Sequence, residues 1–396
     1  LMRRRRRSFL PLLVLLTPLL IAAGIWLGGH PDTLPEPIRN ALVEDTDGRV
    51  YEEAVDTLER DYYREVDRKK LLDQSLEQAV GSLDDRFSHY FAPRDYDDFQ
   101  EATEGRFEGV GMTVEEVRRG LSVITVYEGS PADRGGLEPG DVITHVDGRS
   151  IAGSSSEQST TKIKGPAGTS VKLTVRSDGR TRQETLKRAE VEIPVVRAEM
   201  RREDGRKIAH VRLSGFTSGA HGEVGAAVRR LLKEGAEGVV LDLRDNGGGL
   251  LNEAVMVSSV FIPDGKIVST KGRSRPAQVY EATGNAIDTD IPVVVLVNDR
   301  SASASEIVTG ALQDRDRATV VGTRTFGKGV FQEIEPLSNG GALDITVGEY
   351  FLPSGRNLGG EGVSRGAGVA PDVRAADNPD TPGRDEALIA ALREAA

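Results

Sequence analysis

Residues Asn298–Glu306 read Asn-Asp-Arg-Ser-Ala-Ser-Ala-Ser-Glu, three serines alternating with alanines between an apolar run and an amphipathic stretch. A serine at a helix start is first of all a cap, and Ser303 with Glu306 has capping-box spacing. A strand–turn–helix junction also presents a nucleophile well, because the helix dipole favours a developing negative charge. Both readings stand on these residues alone. A serine nucleophile needs a base, and the five histidines (His30, His89, His145, His210, His221) sit in no recognisable hydrolase pattern; G-x-S-x-G is absent. A lysine can serve instead if burial brings its pKa from about 10.4 to about 7–8. Lys328, in Thr325-Phe326-Gly327-Lys328-Gly329, is the candidate, left sterically open by its two glycines. In an extended chain Gln332 lies on its side, because the side-chain period is two.

A second loop, Arg244-Asp245-Asn246-Gly247-Gly248-Gly249, lets backbone N–H groups approach an anion or oxyanion, or is a plain flexible turn. Two other strings are decoys. Gly322-x4-Gly327-Lys328 resembles a phosphate loop, but Gly329 stands where a magnesium-holding Ser or Thr belongs. Ser159-x-x-Lys162 has no S-D-N or K-T-G partner.

The elements that must position these loops follow from periodicity. Apolar strands at 207–213, 238–244, 291–297 and 318–322 alternate with helices around 224–232, 250–261 and 303–313. This pattern predicts a parallel sheet covered on both faces, with ligands at the carboxyl ends of its strands, hence at 244–250 and 298–305. Short β-rich runs at 121–127, 141–148 and 171–176 with Gly and Pro turns mark a compact module over 104–190. Residues 41–103 read as a helical region, with Ala54, Val55, Leu58 and Tyr62 on one helix face and Leu72, Leu76, Ala79, Val80 and Leu83 on another.

Residues 1–29 carry Arg3–Arg7 and then an uncharged stretch, Phe9–Leu27, about 28 Å long as a helix. The arginines stay on the cytoplasmic side, so an anchor or a cleaved signal is expected, with the body exported. Residues 30–40 are a Gly/Pro-rich linker. The absence of cysteine excludes a disulfide scaffold, a thiol nucleophile and a thiolate zinc site; the histidine spacing disfavours a metal centre. The net charge of −11, with five of the arginines in residues 1–29, leaves an acidic body unsuited to nucleic acid.

Together these segments resemble the carboxyl-terminal processing proteases (tail-specific proteases), a Ser/Lys family with an inserted PDZ domain. The resemblance runs from about residue 50 to 395 through SLDDRFSHYFAP, FEGVGMTV, GSPADRGGLEPGDVITHVDG, LDLRDNGGGLL, SASASEIVTGALQDRDRATVVGTRTFGKGVFQ and GEYFLPSGRNL with GVAPD. It implies an α/β fold: a crotonase-like α/β protease core over 191–396, an inserted β-rich PDZ domain over 104–190 and the N-terminal helical region. It implies Ser303 as nucleophile, Lys328 as general base, Gln332 as the residue orienting it, and the N–H groups of Gly248 and Ala304 as oxyanion hole. Gly109, Val110, Gly111 and Met112 match the PDZ carboxylate-binding loop, so substrates would be proteins or peptides with free, unstructured C-termini, and PDZ position would gate the site. Lys164 stands where such proteins often carry arginine, a sensor of substrate or an ordinary solvated lysine. No metal or organic cofactor is implied; pairing of two subunits through the helical region is. Gly247 stands where the family usually has proline. Two further readings remain: a PDZ tail-binding module on an inactive scaffold, and an acyl-thioester enzyme of similar topology.

Overall fold

The computed structural model describes residues 46–359, 367–378, 381 and 383–396. The expected anchor and linker, residues 1–40, lie outside them. No helix among the described residues is long and apolar enough to cross a membrane. The chain divides into two compact units, one ending at Leu76 and one spanning Glu77–Ala396.

The first unit holds helix α1 (Thr46–Asp61), and α2 (Arg68–Gly81) begins in it. Arg68 pairs with Asp56 and Glu59 of α1 at 2.6 and 3.1 Å. The apolar face expected of α1 is mostly open: Val55 is buried, but Leu58 and Tyr62 are exposed, as are Val50, Tyr51 and Tyr63.

In the second unit the chain runs through strand β1 (His89–Phe91), α3 (Pro93–Glu104) and β2 (Arg106–Gly109) into the inserted module. The module's sheet is β3 (Met112–Val117), β4 (Gly120–Val126), β5 (Val142–Val146), β7 (Ser170–Ser177) and β8 (Arg180–Lys187) in that order, with β6 (Arg149–Ser150) paired to β5. Helices α4 (Pro131–Arg134) and α5 (Ser156–Ile163) complete it. Its own core includes Leu121, Val123, Ile143, Ile151, Val171, Leu173 and Val175. β9 (Ala189–Glu192) returns to pair with β2, closing the module at its neck.

The core that follows is built on a six-stranded sheet. Its strands are β10 (Val196–Glu203), β11 (Arg206–Leu213), β12 (Gly238–Asp242), β15 (Val293–Val297), β16 (Thr319–Gly322) and β19 (Val373–Arg374), in that spatial order. From β11 to β19 every pairing is parallel. The four strands expected from the sequence are parallel to one another, and a strand that was not expected, β10, joins β11 as an antiparallel hairpin, which needs only the short turn at Asp204-Gly205. All five residues of β12 and of β15 are buried, as strands covered on both faces require. One cover is α6 (Ala220–Lys233), α7 (Leu251–Ser259) and α8 (Ala304–Asp314); Val224, Leu231, Val257, Ile307 and Ala311 pack there against Val239, Leu241 and Val295. The other is α9 (Glu386–Glu394), whose Ala387, Leu388, Ala391 and Leu392 meet Ile208, Val240, Val294, Leu296 and Val321.

A second, antiparallel sheet was not expected. It orders β1, β18 (Ala342–Phe351), β13 (Lys266–Gly272) and β14 (Gln278–Glu281), with β17 (Val330–Pro336) paired to β18. These strands alternate only weakly in hydrophobicity, and β1 pairs with a strand far away in sequence. Two glycines and short connections therefore place Lys328 just before β17, at the edge of this second sheet.

Candidate active site

The loop after β15 ends in Ser303, the residue preceding α8. Ser303 has φ 56° and ψ −115°, a conformation costly for a residue with a Cβ, as in strained turns that present a nucleophile. The three serines separate by environment. Ser301 is buried, donates to the Leu243 carbonyl at 2.8 Å and accepts from Asn298 N–H at 3.0 Å. Ser305 is buried and donates to the Asn246 carbonyl at 2.8 Å. Both bolt the serine loop to the glycine loop. Ser303 between them is half-buried, its hydroxyl set toward the Glu306 N–H in a capping-box arrangement without a close hydrogen bond.

Glu306 organises the centre. It is fully buried, and its carboxylate accepts four hydrogen bonds: from Ser303 N–H (2.9 Å), Thr325 Oγ1 (2.6 Å), Gly327 N–H (2.7 Å) and Lys328 N–H (2.9 Å). Burial pushes its pKa up, against those four donors. Half of the capping box expected at Ser303 and Glu306 is thus also a clamp joining the serine loop to the lysine loop, which the capping reading did not foresee.

Lys328 precedes β17. Its Nζ donates to Gln332 Oε1 at 2.6 Å and lies 4.8 Å from the centroid of the Phe87 ring. The contact with Gln332 agrees with the expected shared side, though Lys328 is outside the strand and the ladder shifts register between Phe331 and Gln332. Burial lowers the Lys328 pKa from the ordinary amine value, opposed by the charges of Asp344, Asp85 and Glu306. No hydrogen bond joins Lys328 Nζ to Ser303 in this structure; their loops meet through Glu306.

The glycine loop lies directly against Ser303. A Cβ on Gly248 would fall 2.9 Å from the Ser303 Cβ and 3.1 Å from the Ala304 nitrogen, so only glycine fits this approach. Gly249, at φ 141°, sits over the Phe216 carbonyl and bridges to that residue. Buried Asn246 braces the loop: its Nδ2 donates to the Leu213 carbonyl and its own carbonyl accepts from Ala302 N–H. Its Oδ1 accepts from Gly248 N–H at 2.9 Å. One of the two N–H groups expected to form an oxyanion hole is therefore engaged internally. The Ala304 N–H has no partner among the described residues.

Two histidines, His210 and His221, pair with carboxylates. His210 Nε2 lies 3.2 Å from Asp242 Oδ2, and Arg244 bridges Asp242 to Asp385 beside α9. Against its burial, the hydrogen bonds of His210 and Arg244 hold Asp242 far below the usual carboxylate range. His221 Nδ1 meets Glu253 at 2.8 Å, and Glu253 also caps α6 through the N–H groups of Gly219 and His221. Neither pair reaches a serine. The decoys stay apart too: Ser159 is buried in α5 while Lys162 is exposed on it, and no cluster of metal-binding side chains occurs among the described residues.

In the inserted module, a groove of about 410 Å³ is lined by Val110, Gly111, Met112, Ile163 and Lys164, among others. The Val110 carbonyl is held by Ala132 N–H, and the Gly111 carbonyl by Tyr127 N–H and Ser130 Oγ. In a trans peptide the N–H points opposite to the carbonyl, so the Gly111 and Met112 N–H groups face away from these anchors. Lys164 Nζ pairs with Glu101 of α3 at 2.5 Å and with Asp98 at 3.3 Å. These acids raise its pKa despite burial.

Comparison with known proteins places the chain. The sequence pattern of peptidase family S41 matches residues 207–375, and that of PDZ domains matches 122–177. The carboxyl-terminal-processing protease of Synechocystis sp. is 36% identical over 72% of this chain and 67% of its own length. That of Bartonella bacilliformis is 36% identical over 78% and 70%. The chain belongs to peptidase family S41. Within S41 its relatives are the carboxyl-terminal-processing proteases, and its architecture is an α/β S41 core carrying a PDZ domain. The probable CtpA-like serine protease of Staphylococcus haemolyticus is 32% identical over 81% of this chain; the chain spans 64% of that relative's length. The solved photosystem II D1 C-terminal processing protease is 31% identical, covering 83% of this S41 chain and 87% of its own, with a TM-score of 0.48.

Proposed function

We propose that this S41 chain is an exported serine endopeptidase that cuts protein substrates near their C-termini. Ser303 is the nucleophile, Lys328 the general base, and Gln332 orients the lysine. One observation carries the reading. Of three serines at the helix start, two are buried and bonded to backbone carbonyls, while Ser303 alone combines a positive φ with a half-buried side chain, on a loop clamped through Glu306 to a half-buried lysine.

In the proposed reaction, neutral Lys328 takes the Ser303 proton and the serine oxygen attacks the peptide carbonyl. The Ala304 N–H and, after release from Asn246, the Gly248 N–H stabilise the oxyanion; one such donor is typically worth ~10²–10³ in rate. Protonated Lys328 gives its proton to the leaving amine, and water then hydrolyses the acyl-enzyme. No metal or organic cofactor takes part. Lys328 hydrogen-bonded to Gln332 rather than to Ser303, and Gly248 bonded to Asn246, support a resting state that substrate completes.

The groove beside Gly109–Met112 would hold the free carboxylate through N–H groups while the tail adds along β3 as a further strand. Lys164, tied to α3, would respond to an occupant of that groove. The arginine-flanked apolar stretch near the start supports a membrane-tethered or secreted body outside the cytoplasm. The open residues of α1 support pairing of two copies.

The test incubates the purified chain with an unfolded reporter ending in a free apolar C-terminus, and with the same reporter amidated, with products read by mass spectrometry. Cleavage of the free tail is expected, weaker on the amidated one and lost in Ser303→Ala and Lys328→Ala. Cleavage surviving Ser303→Ala removes the assigned nucleophile. Tight tail binding without cleavage favours a binding module instead.

A further inference from the structure

The segment Asp85–Ser88 precedes the PDZ module and lies outside the stretch that matches the S41 pattern. It nevertheless meets Lys328. The Phe87 ring lies under the ammonium, 4.8 Å from Nζ to centroid. Ser88 is buried, donates to Asp85 Oδ2 at 2.6 Å and accepts from Thr346 N–H at 3.0 Å, a contact between residues 258 apart in sequence. Thr346, on β18, accepts from Gln332 Nε2 at 3.0 Å through Oγ1. Gln332 Oε1 in turn accepts from Lys328. A continuous chain of hydrogen bonds thus runs Lys328–Gln332–Thr346–Ser88–Asp85, and the ring of Phe87 closes it back onto the lysine.

Each link has a physical direction. An amide has one acceptor and one donor end. The Thr346 hydroxyl is also bonded to the Asp85 carboxylate, which can only accept, so toward Gln332 it accepts from Nε2 and leaves Oε1 for the ammonium of Lys328. The pairing of β1 with β18, His89 opposite Asp344, places Ser88 beside Thr346. The Phe87 face attracts a cation and so favours the protonated amine, as does the nearby Asp85 charge.

We infer that Phe87, Ser88 and Thr346 are positioning residues of this active site, holding Lys328 in a defined place and protonation balance, with Asp85 anchoring the chain. The inference rests on Lys328 being the base, but its geometry can be tested without turnover. The groups facing Lys328 are Phe87 and Asp85 from the N-terminal segment, Gln332 from β17, Asp344 from β18 and Glu306 from α8; His89 faces Asp344 and Asp85.

The experiment compares the full chain with Thr346→Val, Phe87→Leu and Asp85→Asn. Thr346→Ser and Phe87→Tyr are the conservative rescues. Two readouts are taken across pH: kcat and KM on the free-tailed reporter, and labelling of Lys328 by dinitrofluorobenzene, followed by mass spectrometry. Only the neutral amine is labelled, and the chain has no cysteine to compete. Thr346→Val and Phe87→Leu should lower kcat at least tenfold with KM near the wild-type value. In all three variants the Lys328 labelling midpoint should move to lower pH, by about half a unit for loss of the ring. The two rescues should restore it. A wild type that never cleaves, with midpoints still shifted, would support the positioning chain while sinking the protease reading. Cleaving variants with unchanged kcat and unchanged midpoints would overturn the inference and leave the protease reading intact.

Discussion

At the scale of the residue, one carboxylate does more than its position in the sequence suggests. Glu306 stands where a capping glutamate belongs, but four donors from two loops converge on it. Its burial is tolerable only because each lone-pair direction is filled, three of them by groups that have nowhere else to bond. Glu306→Gln keeps one oxygen but turns an NH2 group toward N–H and O–H donors. The expected cost is about 3 kcal/mol in urea unfolding, with cleavage of the reporter falling more than a hundredfold, because the serine and lysine loops lose their common anchor. Equal losses in Ser305→Ala would contradict this, since Ser305 carries a single bond worth about 1 kcal/mol.

At the scale of the element, the glycine loop is the place where backbone geometry limits substitution. Gly249 has positive φ, and an added Cβ would meet the Phe216 carbonyl at 2.5 Å. Gly247 has neither constraint: a Cβ there meets nothing within 4 Å and its φ is not positive. Gly247→Pro, which restores the residue usual in the family, should therefore raise the melting temperature slightly, by about 0.5 kcal/mol of unfolded-state entropy. Gly249→Ala should lower it and weaken cleavage, because the loop must move away from Phe216. A scanning-calorimetry comparison of the two variants decides; equal effects would contradict the distinction.

At the scale of the whole molecule, the C-terminal helix closes one face of the parallel sheet. It covers Ile208, Val240, Val294, Leu296 and Val321, and Asp385 at its start holds Arg244 with two hydrogen bonds. The buried arginine keeps Asp242 as a partner, and Asp385 is partly exposed. Asp385→Ala should thus cost only about 1–2 kcal/mol, read from the urea midpoint. A chain truncated at Gly383 should instead come out aggregated, because an apolar sheet face is uncovered. A soluble, folded truncation would show that α9 is dispensable.

Much of this molecule was legible from its residues. The alternation of apolar strands and helices placed the central sheet, and its carboxyl-end loops proved to be where Ser303 and the glycine loop meet. These signals are local, written in periods of two and 3.6 and in the glycine positions. The antiparallel β10 edge, the second sheet and the role of the Asp85–Ser88 segment were not legible. Each depends on pairing between distant residues, as Ser88 with Thr346, and pairing leaves no mark in a single strand's pattern. The choice among Ser301, Ser303 and Ser305 shows the same divide. As residue types they are equivalent, and only the capping-box spacing with Glu306 and the resemblance to a family motif singled out Ser303 in the sequence. Which hydroxyls are buried and bonded to the Leu243 and Asn246 carbonyls, and which stays half-buried, was decided by the packing of two loops brought together by the tertiary fold.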